Sequence, residues 1–168
     1  DTVLSRGLGD VYKRQLNQEN FDLELKENQV LIKNEFISLD PAMRGWLNRE
    51  KSYISPVNLG DVMRAGTIGK IIKSKNKNFN NGNYVSGWGG VQDYIISDGK
   101  DFIRIDDNKV KKETYLGALG MPGMTAYFGI LKEGNIKKGE TVVVSAAAGA
   151  VGSIVGQIAK IKGCKVIG

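Results

Sequence analysis

The 168 residues contain no histidine and one cysteine, Cys164. A lone thiol cannot close an internal disulfide, and a structural site built from four cysteines is excluded with it. Cys164 opens a short apolar run near the end of the chain, the place of a core residue. No apolar run approaches the roughly 18 residues needed to cross a bilayer, so no membrane span is expected. Internal repeats and low-complexity tracts are also missing. What remains is the composition of a soluble, cytoplasmic protein, with a formal net charge of +6.

The most informative stretch is TVVVSAAAGAVGSIVGQIAKIKGCKVIG, Thr141 to Gly168. Thr141 to Ser145 is an uncharged, largely β-branched run, which suits a parallel strand covered on both faces. Ala146, Ala147 and Ala148 are small enough for a sharp turn, and Gly149 permits backbone angles that a side chain would forbid. From Ala150 to Lys162 the apolar positions Val151, Ile154, Val155, Ile158, Ala159 and Ile161 recur largely at helical spacing. A second strand follows. Free amides and the dipole at such a helix start favour a diphosphate by roughly 0.3–1 kcal/mol when exposed. Gly152 lets phosphates approach, Ser153 offers a hydroxyl, and Gly156 allows close helix–strand packing. The glycine spacing departs from a strict G-x-G-x-x-G. The order of strand, turn, helix and strand supplies the context that the spacing lacks, though an ordinary glycine-rich connection would look alike.

Upstream, Val30–Leu39, Met63–Ser74, Tyr84–Trp88, Val91–Ser97 and Phe102–Ile105 read as strands between Asn/Gly/Asp-rich turns. Short strands with little helix suggest a partly open barrel. Composition changes near Met121, and Met124–Leu131 reads as a helix. Lysines at Lys70–Lys77 interleave with Ile71 and Ile72, the pattern of a half-exposed edge strand rather than a nucleic-acid site. Trp46 and Trp88 read as core or interface residues.

The segments SLDPAMRGWLN (Ser38–Asn48), KSYISPVNLGDVMRAGTIGKII (Lys51–Ile72), LGALGMPGMTAYFGIL (Leu116–Leu131) and AAAGAVGSIVGQIAKIKGCKVIG (Ala146–Gly168) occur in one order. Together they resemble the medium-chain dehydrogenase/reductase superfamily, in its zinc-free NADPH-dependent alkenal/one, prostaglandin and curcumin reductase branch. The resemblance implies an α/β-with-β architecture: a GroES-like, partly open β-barrel substrate domain over residues 16–122, then the start of a Rossmann domain over 123–168. Gly82-Asn83-Tyr84-Val85 stands where the superfamily has Gly-Asp-x-Val, with asparagine keeping the turn chemistry. Residues 1–15 have no counterpart and read as a non-native, adapter-derived leader. On this reading the nucleotide domain is truncated. Val142, Val144, Ile154 and Ile158 are then expected to expose apolar surface.

The implied reaction is zinc-independent reduction of the carbon–carbon double bond of conjugated ketones and aldehydes by NADPH. Zinc members of the superfamily use cysteine and histidine ligands, where this chain carries Asp40, Pro41, Met43 and Arg44. By motif, Gly149, Ala150, Val151, Gly152 and Ser153 hold the diphosphate, and Met121 and Thr125 approach the nicotinamide. The alternative for Thr125 is a helix-start cap. Tyr53 lines the substrate pocket or packs on the barrel as an ordinary loop aromatic. Arg44 pairs with Asp40 or Asp61, or reaches an anion. No catalytic residue is named within these 168 residues, and NADPH over NADH rests on the resemblance alone. A homodimer is compatible with the family. The alternative is a non-catalytic member, a nucleotide sensor or RNA-binding protein.

Overall fold

The structure is a computed structural model that describes residues 2–5, 15–18, 24–48 and 52–168. The chain divides into two compact units, Asp1–Lys112 and Glu113–Gly168. The division therefore falls ahead of the composition change near Met121.

In the first unit, β1 (Thr2–Ser5) and β2 (Gln15–Gln18) form an antiparallel ribbon. Thus the described part of the leader segment is paired backbone. Five further strands follow, with a one-turn helix among them: β3 (Val30–Ile37), α1 (Ala42–Trp46), β4 (Thr67–Ser74), β5 (Tyr84–Gly87), β6 (Tyr94–Ser97) and β7 (Phe102–Arg104). They make one antiparallel sheet in the order β6-β3-β4-β5-β7. Its covered face is built by Val30, Ile32, Ile71, Val85 and Phe102, with Phe79 and Ile95 packed against them. Alternation along β3 separates Val30 and Ile32 from Lys33, and in β4 a register shift at Ile72 turns Lys73 away from Ile71.

All five expected strands are present, each shorter than expected at one end. The segment from Met63 is extended before β4 begins, but its carbonyls serve a loop: Met63 accepts from the Val91 amide (2.8 Å) and Ala65 from the Gly90 amide (3.1 Å). The turn before β5 works as the Gly-Asn reading requires, with the Asn83 Oδ1 accepting the Asn80 amide at 2.9 Å.

One expectation about the sheet fails. The lysine-rich β4 is the middle strand, not an edge. An antiparallel sheet with one wet face alternates in the same way at its centre as at its border, so the pattern alone does not locate a strand. Lys33 and Lys70 are cross-strand neighbours. Each ammonium also lies over a tyrosine ring, Lys33 at 5.9 Å from Tyr94 and Lys70 at 5.6 Å from Tyr84, which offsets the like-charge contact. Lys112 sits 3.7 Å from the Tyr84 ring centroid and 2.9 Å from the Glu35 carboxylate. Partial burial pushes the Glu35 pKa up, but the bonds from Lys112 and Tyr84 and the Lys112 and Lys70 charges outweigh it, leaving that pKa below the ordinary value. Bonds to Tyr84 and Glu35 raise that of Lys112.

The second unit contains α2 (Met121–Phe128) running into a π-helical turn (Gly129–Glu133), then β8 (Thr141–Val143), α3 (Gly152–Ile161) and β9 (Lys165–Ile167). β8 and β9 are parallel neighbours, with Val142 opposite Val166. Ile130, Ala159 and Cys164 are its buried centre, joined by Val142, Val155, Ile158 and Val166. Cys164 is a core residue, as its setting in the sequence implied. The apolar surface left open differs from expectation. Val142, Val144, Ile154 and Ile158 are half-buried, whereas Val143 (74% exposed) and Ile167 (47%) lie side by side on the opposite face of the ribbon. The helix covers one face of the two-stranded sheet and leaves the other open.

Candidate functional site

The turn between β8 and α3 is organised around the Ala146 carbonyl. Ala146 has φ 51°, a left-handed backbone that costs an alanine about 1–2 kcal/mol. Its carbonyl accepts the Gly149 amide at 2.8 Å. A Cβ added at Gly149 would lie 3.1 Å from that oxygen, and one at Gly152 only 2.4 Å from it. This corrects the reading of the glycines. Gly149 is not among the positive-φ residues, so Ala146 carries the unusual backbone. Gly149 and Gly152 clear space for the turn's own carbonyl. Gly156 is not needed for close packing either, since a Cβ there would meet only Val166 at an ordinary 3.5 Å.

The first bond of α3 runs from the Ser153 amide to the Gly149 carbonyl, at 3.0 Å. Among the described residues, the amides of Ala150, Val151 and Gly152 have no hydrogen-bond partner. Three consecutive amides without a partner thus stand at the start of a ten-residue helix, where the helix dipole favours negative charge. The Ser153 hydroxyl donates to the Ala150 carbonyl at 3.5 Å, a weak bond that a stronger acceptor would displace. A hollow of about 330 Å³ adjoins the corner, bordered by Ala147, Gly152, Ser153 and Gly168.

Met121 and Thr125 lie one turn apart on α2, both exposed, in this same unit. Thr125 is not a cap. Gly120 holds the N-cap position, and the Thr125 hydroxyl donates back to the Met121 carbonyl at 2.8 Å. Pro122 and Gly123 belong to the helix's first turn rather than preceding it, which moves Thr125 into the interior.

Tyr53 belongs to the first unit. It is 84% exposed, so it does not pack on the barrel, and its hydroxyl accepts the Trp46 indole N–H at 3.3 Å. Trp46 is buried, while Trp88 is half exposed and meets it edge-on at 6.3 Å. The Arg64 guanidinium carbon lies 5.9 Å from the Trp46 ring centroid, and its Nη2 donates to the Ser55 carbonyl. Next to this cluster is a cavity of about 230 Å³, lined by Val62, Arg64, Ala65, Trp88, Gly89 and Gln92. Its floor is hydrogen-bonded: the buried Thr67 hydroxyl accepts the Gly89 amide at 3.1 Å, and Gln92 Nε2 donates to the Gly89 carbonyl at 2.7 Å. The reading of residue types did not single out Arg64 or Gln92. The only trace they leave in the sequence is the Gly89-Gly90 pair, where Gly90 has φ 72° and a Cβ would lie 2.8 Å from Val62. Arg44 is exposed and forms no ion pair among the described residues. Asp40 instead accepts from the Ser38 hydroxyl and Asp61 from the Asn58 amide groups. Among the described residues no group of three or more Cys, His, Asp or Glu side chains is placed to hold a metal ion.

A family model described as the N-terminal domain of oxidoreductase matches residues 8–105, beginning inside the segment read as a leader. The NADPH-dependent curcumin reductase of Escherichia coli (strain K12) is 47% identical over 156 residues, covering 89% of this chain and 45% of that protein. Prostaglandin reductase 1 of Mus musculus is 42% identical over 158 residues, covering 89% and 46% respectively. Among solved structures, CurA from Vibrio vulnificus in complex with NADPH superposes with a TM-score of 0.87 at 40% identity, over 99% of this chain and 50% of that one. The chain thus spans about half the length of the relatives it matches.

Proposed function

The chain belongs to the alkenal, prostaglandin and curcumin reductase branch of the medium-chain dehydrogenase/reductase superfamily, and on that premise we propose that the full-length protein reduces the carbon–carbon double bond of conjugated ketones and aldehydes with NADPH. The observation that carries this reading is the row of unspent amides at Ala150, Val151 and Gly152. The same chemistry fits a diphosphate: three backbone donors, a nearby hydroxyl on Ser153, and no carboxylate in the turn to repel it.

When bound, the coenzyme supplies a hydride to the β-carbon of the substrate. The residues of this chain do the rest by holding and orienting. Ala150, Val151, Gly152 and Ser153 would fix the diphosphate, Gly149 clears space for the Ala146 carbonyl that shapes the turn, and Met121 and Thr125 would border the nicotinamide. Tyr53 faces the substrate, where its hydroxyl stabilises the developing enolate oxygen by hydrogen bonding. Carbonyl activation by hydrogen bonds rather than zinc agrees with the absence of histidine and the single buried cysteine. Partners are small conjugated carbonyl compounds rather than nucleic acid or membrane. The described residues contain no helix long and apolar enough to cross a bilayer, which suits a cytoplasmic enzyme. A homodimer is part of the same reading.

The test is NADPH consumption by the full-length gene product with a medium-chain enone, alongside calorimetric titration with NADPH. Turnover with saturable binding is the expected result. Absence of both heat and turnover would refute the proposal.

A further inference from the structure

We propose that Trp46 is a positioning residue that presents the Tyr53 hydroxyl as a one-directional donor to the substrate carbonyl oxygen. The inference rests on the reductase reading for its substrate, but its geometry stands on this chain alone.

The direction of the bond is forced. An indole nitrogen can donate a hydrogen bond and cannot accept one. With Trp46 Nε1 at 3.3 Å, the Tyr53 oxygen must therefore be the acceptor. The phenol keeps its own hydrogen, and among the described residues no acceptor takes it. Tyr53 is 84% exposed, so that hydrogen is open to a ligand. An exposed tyrosine would ordinarily sample several rotamers and lose that freedom on binding a ligand. Here the hydroxyl is tethered at its oxygen to a ring that cannot follow it.

Trp46 is fixed from several sides. It closes α1, is 7% exposed, and meets the edge of Trp88 at 6.3 Å with the planes 60° apart. The Arg64 guanidinium lies over its face and is itself bonded to the Ser55 carbonyl, so the cation cannot swing away freely. Donation into the phenolic oxygen also polarises the O–H and strengthens any bond it gives onward. A donor held in advance, and aimed where negative charge develops, contributes more to the transition state than to substrate binding. Residues that pack around Trp46 thus act on the reaction through the hydroxyl of Tyr53.

The test uses the full-length gene product with an enone, and the variants Tyr53→Phe, Trp46→Phe and the double variant. Each single variant is expected to lower kcat about ten- to a hundredfold, at or below the loss from removing one buried oxyanion donor, with KM nearly unchanged. The double variant should be no slower than Tyr53→Phe, because both remove the same bond. In parallel, the Trp46 indole N–H resonance should move upfield and exchange faster with solvent in Tyr53→Phe. This second readout needs no turnover and no substitution at the buried tryptophan, so it decides even if Trp46→Phe fails to fold. An unmoved indole resonance overturns the role given to Trp46, as does a Trp46→Phe enzyme with wild-type kcat or losses that multiply in the double variant. Wild-type protein without turnover, but with the indole shift, would overturn the reductase reading and leave the tether standing.

Discussion

Gly152 and Gly156 lie one turn apart on α3, yet a methyl group added to each meets opposite surroundings. At Gly152 the new Cβ would stand 2.4 Å from the Ala146 oxygen, 3.0 Å from its carbonyl carbon and 3.1 Å from the Ala147 Cα. All three are backbone atoms, so no side chain can rotate out of the way. Overpacking of this kind costs about 1–3 kcal/mol, and a backbone obstacle belongs at the upper end. Gly152 is also the first residue of the helix, where the intrinsic advantage of alanine is small. Gly152→Ala should therefore destabilise the second unit by roughly 2–3 kcal/mol. At Gly156, among the described residues and apart from its chain neighbours and the helix's own backbone, the only neighbour within 4 Å is Val166 Cγ1, at 3.5 Å. With no clash and an interior helical position, Gly156→Ala should stabilise by up to about 1 kcal/mol. Urea titration followed by far-UV circular dichroism measures both, because α2 and α3 supply most of the α-helix among the described residues. NADPH affinity should fall with Gly152→Ala, whose turn must shift, and survive Gly156→Ala. Equal stability of the two variants would refute the claim that the Ala146 carbonyl sets the glycine requirement.

Two further outcomes follow from the first unit. Ile32 is fully buried among Val30, Ile71, Val85 and Phe102, so Ile32→Ala should cost about 2–5 kcal/mol and Ile32→Val about 0.5–1.5. Tryptophan fluorescence during urea titration reads this, since both tryptophans lie in this unit, and a cost below about 1 kcal/mol for the alanine would contradict the core assignment. The Glu35–Lys112 pair should shape the pH dependence. Glu35 has a lowered pKa when folded, so its stabilisation is present above the ordinary carboxylate range and is lost as pH falls through the lowered value. Lys112 has a raised pKa, so its share is present below the ordinary lysine range and is lost as pH rises through the raised value. Glu35→Gln should flatten the acid limb of stability against pH by no more than about 1 kcal/mol, since the pair is partly solvated. An unchanged acid limb would show that the pair contributes nothing.

What the sequence made legible was whatever depends on local periodicity. The strands beginning at Val30, Tyr84 and Phe102, the β8-α3-β9 unit and the buried Cys164 each follow from side-chain alternation or helical spacing within a few residues. Where two folded arrangements share one pattern, the reading went astray. The lysines of β4 alternate as they would at an edge, although the strand is central. Thr125 has the residue type of a cap and the position of a helix interior. Non-local contacts left no signal at all. Nothing near Trp46 announces that its indole reaches Tyr53 or that Arg64 covers its face, because these residues meet only after the loop between α1 and β4 folds back.

The turn of Ala146 joins the two halves of this lesson. A glycine-rich strand-to-helix connection suggests that glycine adopts the unusual backbone and that missing side chains make room for a ligand. Here an alanine takes the left-handed conformation, and the glycines make room for its carbonyl. The consequence for binding is indirect but physical. By turning inward to accept the Gly149 amide at 2.8 Å, the Ala146 oxygen closes the turn with a single bond. The helix then begins its own bonds only at Ser153, leaving Ala150, Val151 and Gly152 with donors that no part of the turn uses. An orphan amide that is wetted costs little, whereas one covered by a ligand without acceptors would cost about 1–3 kcal/mol. The corner therefore favours an oxygen-rich anion over an apolar group, and it does so through backbone atoms that no substitution other than proline removes. Only a change that moves the Ala146 carbonyl, such as a Cβ at residue 152, reaches all three donors at once.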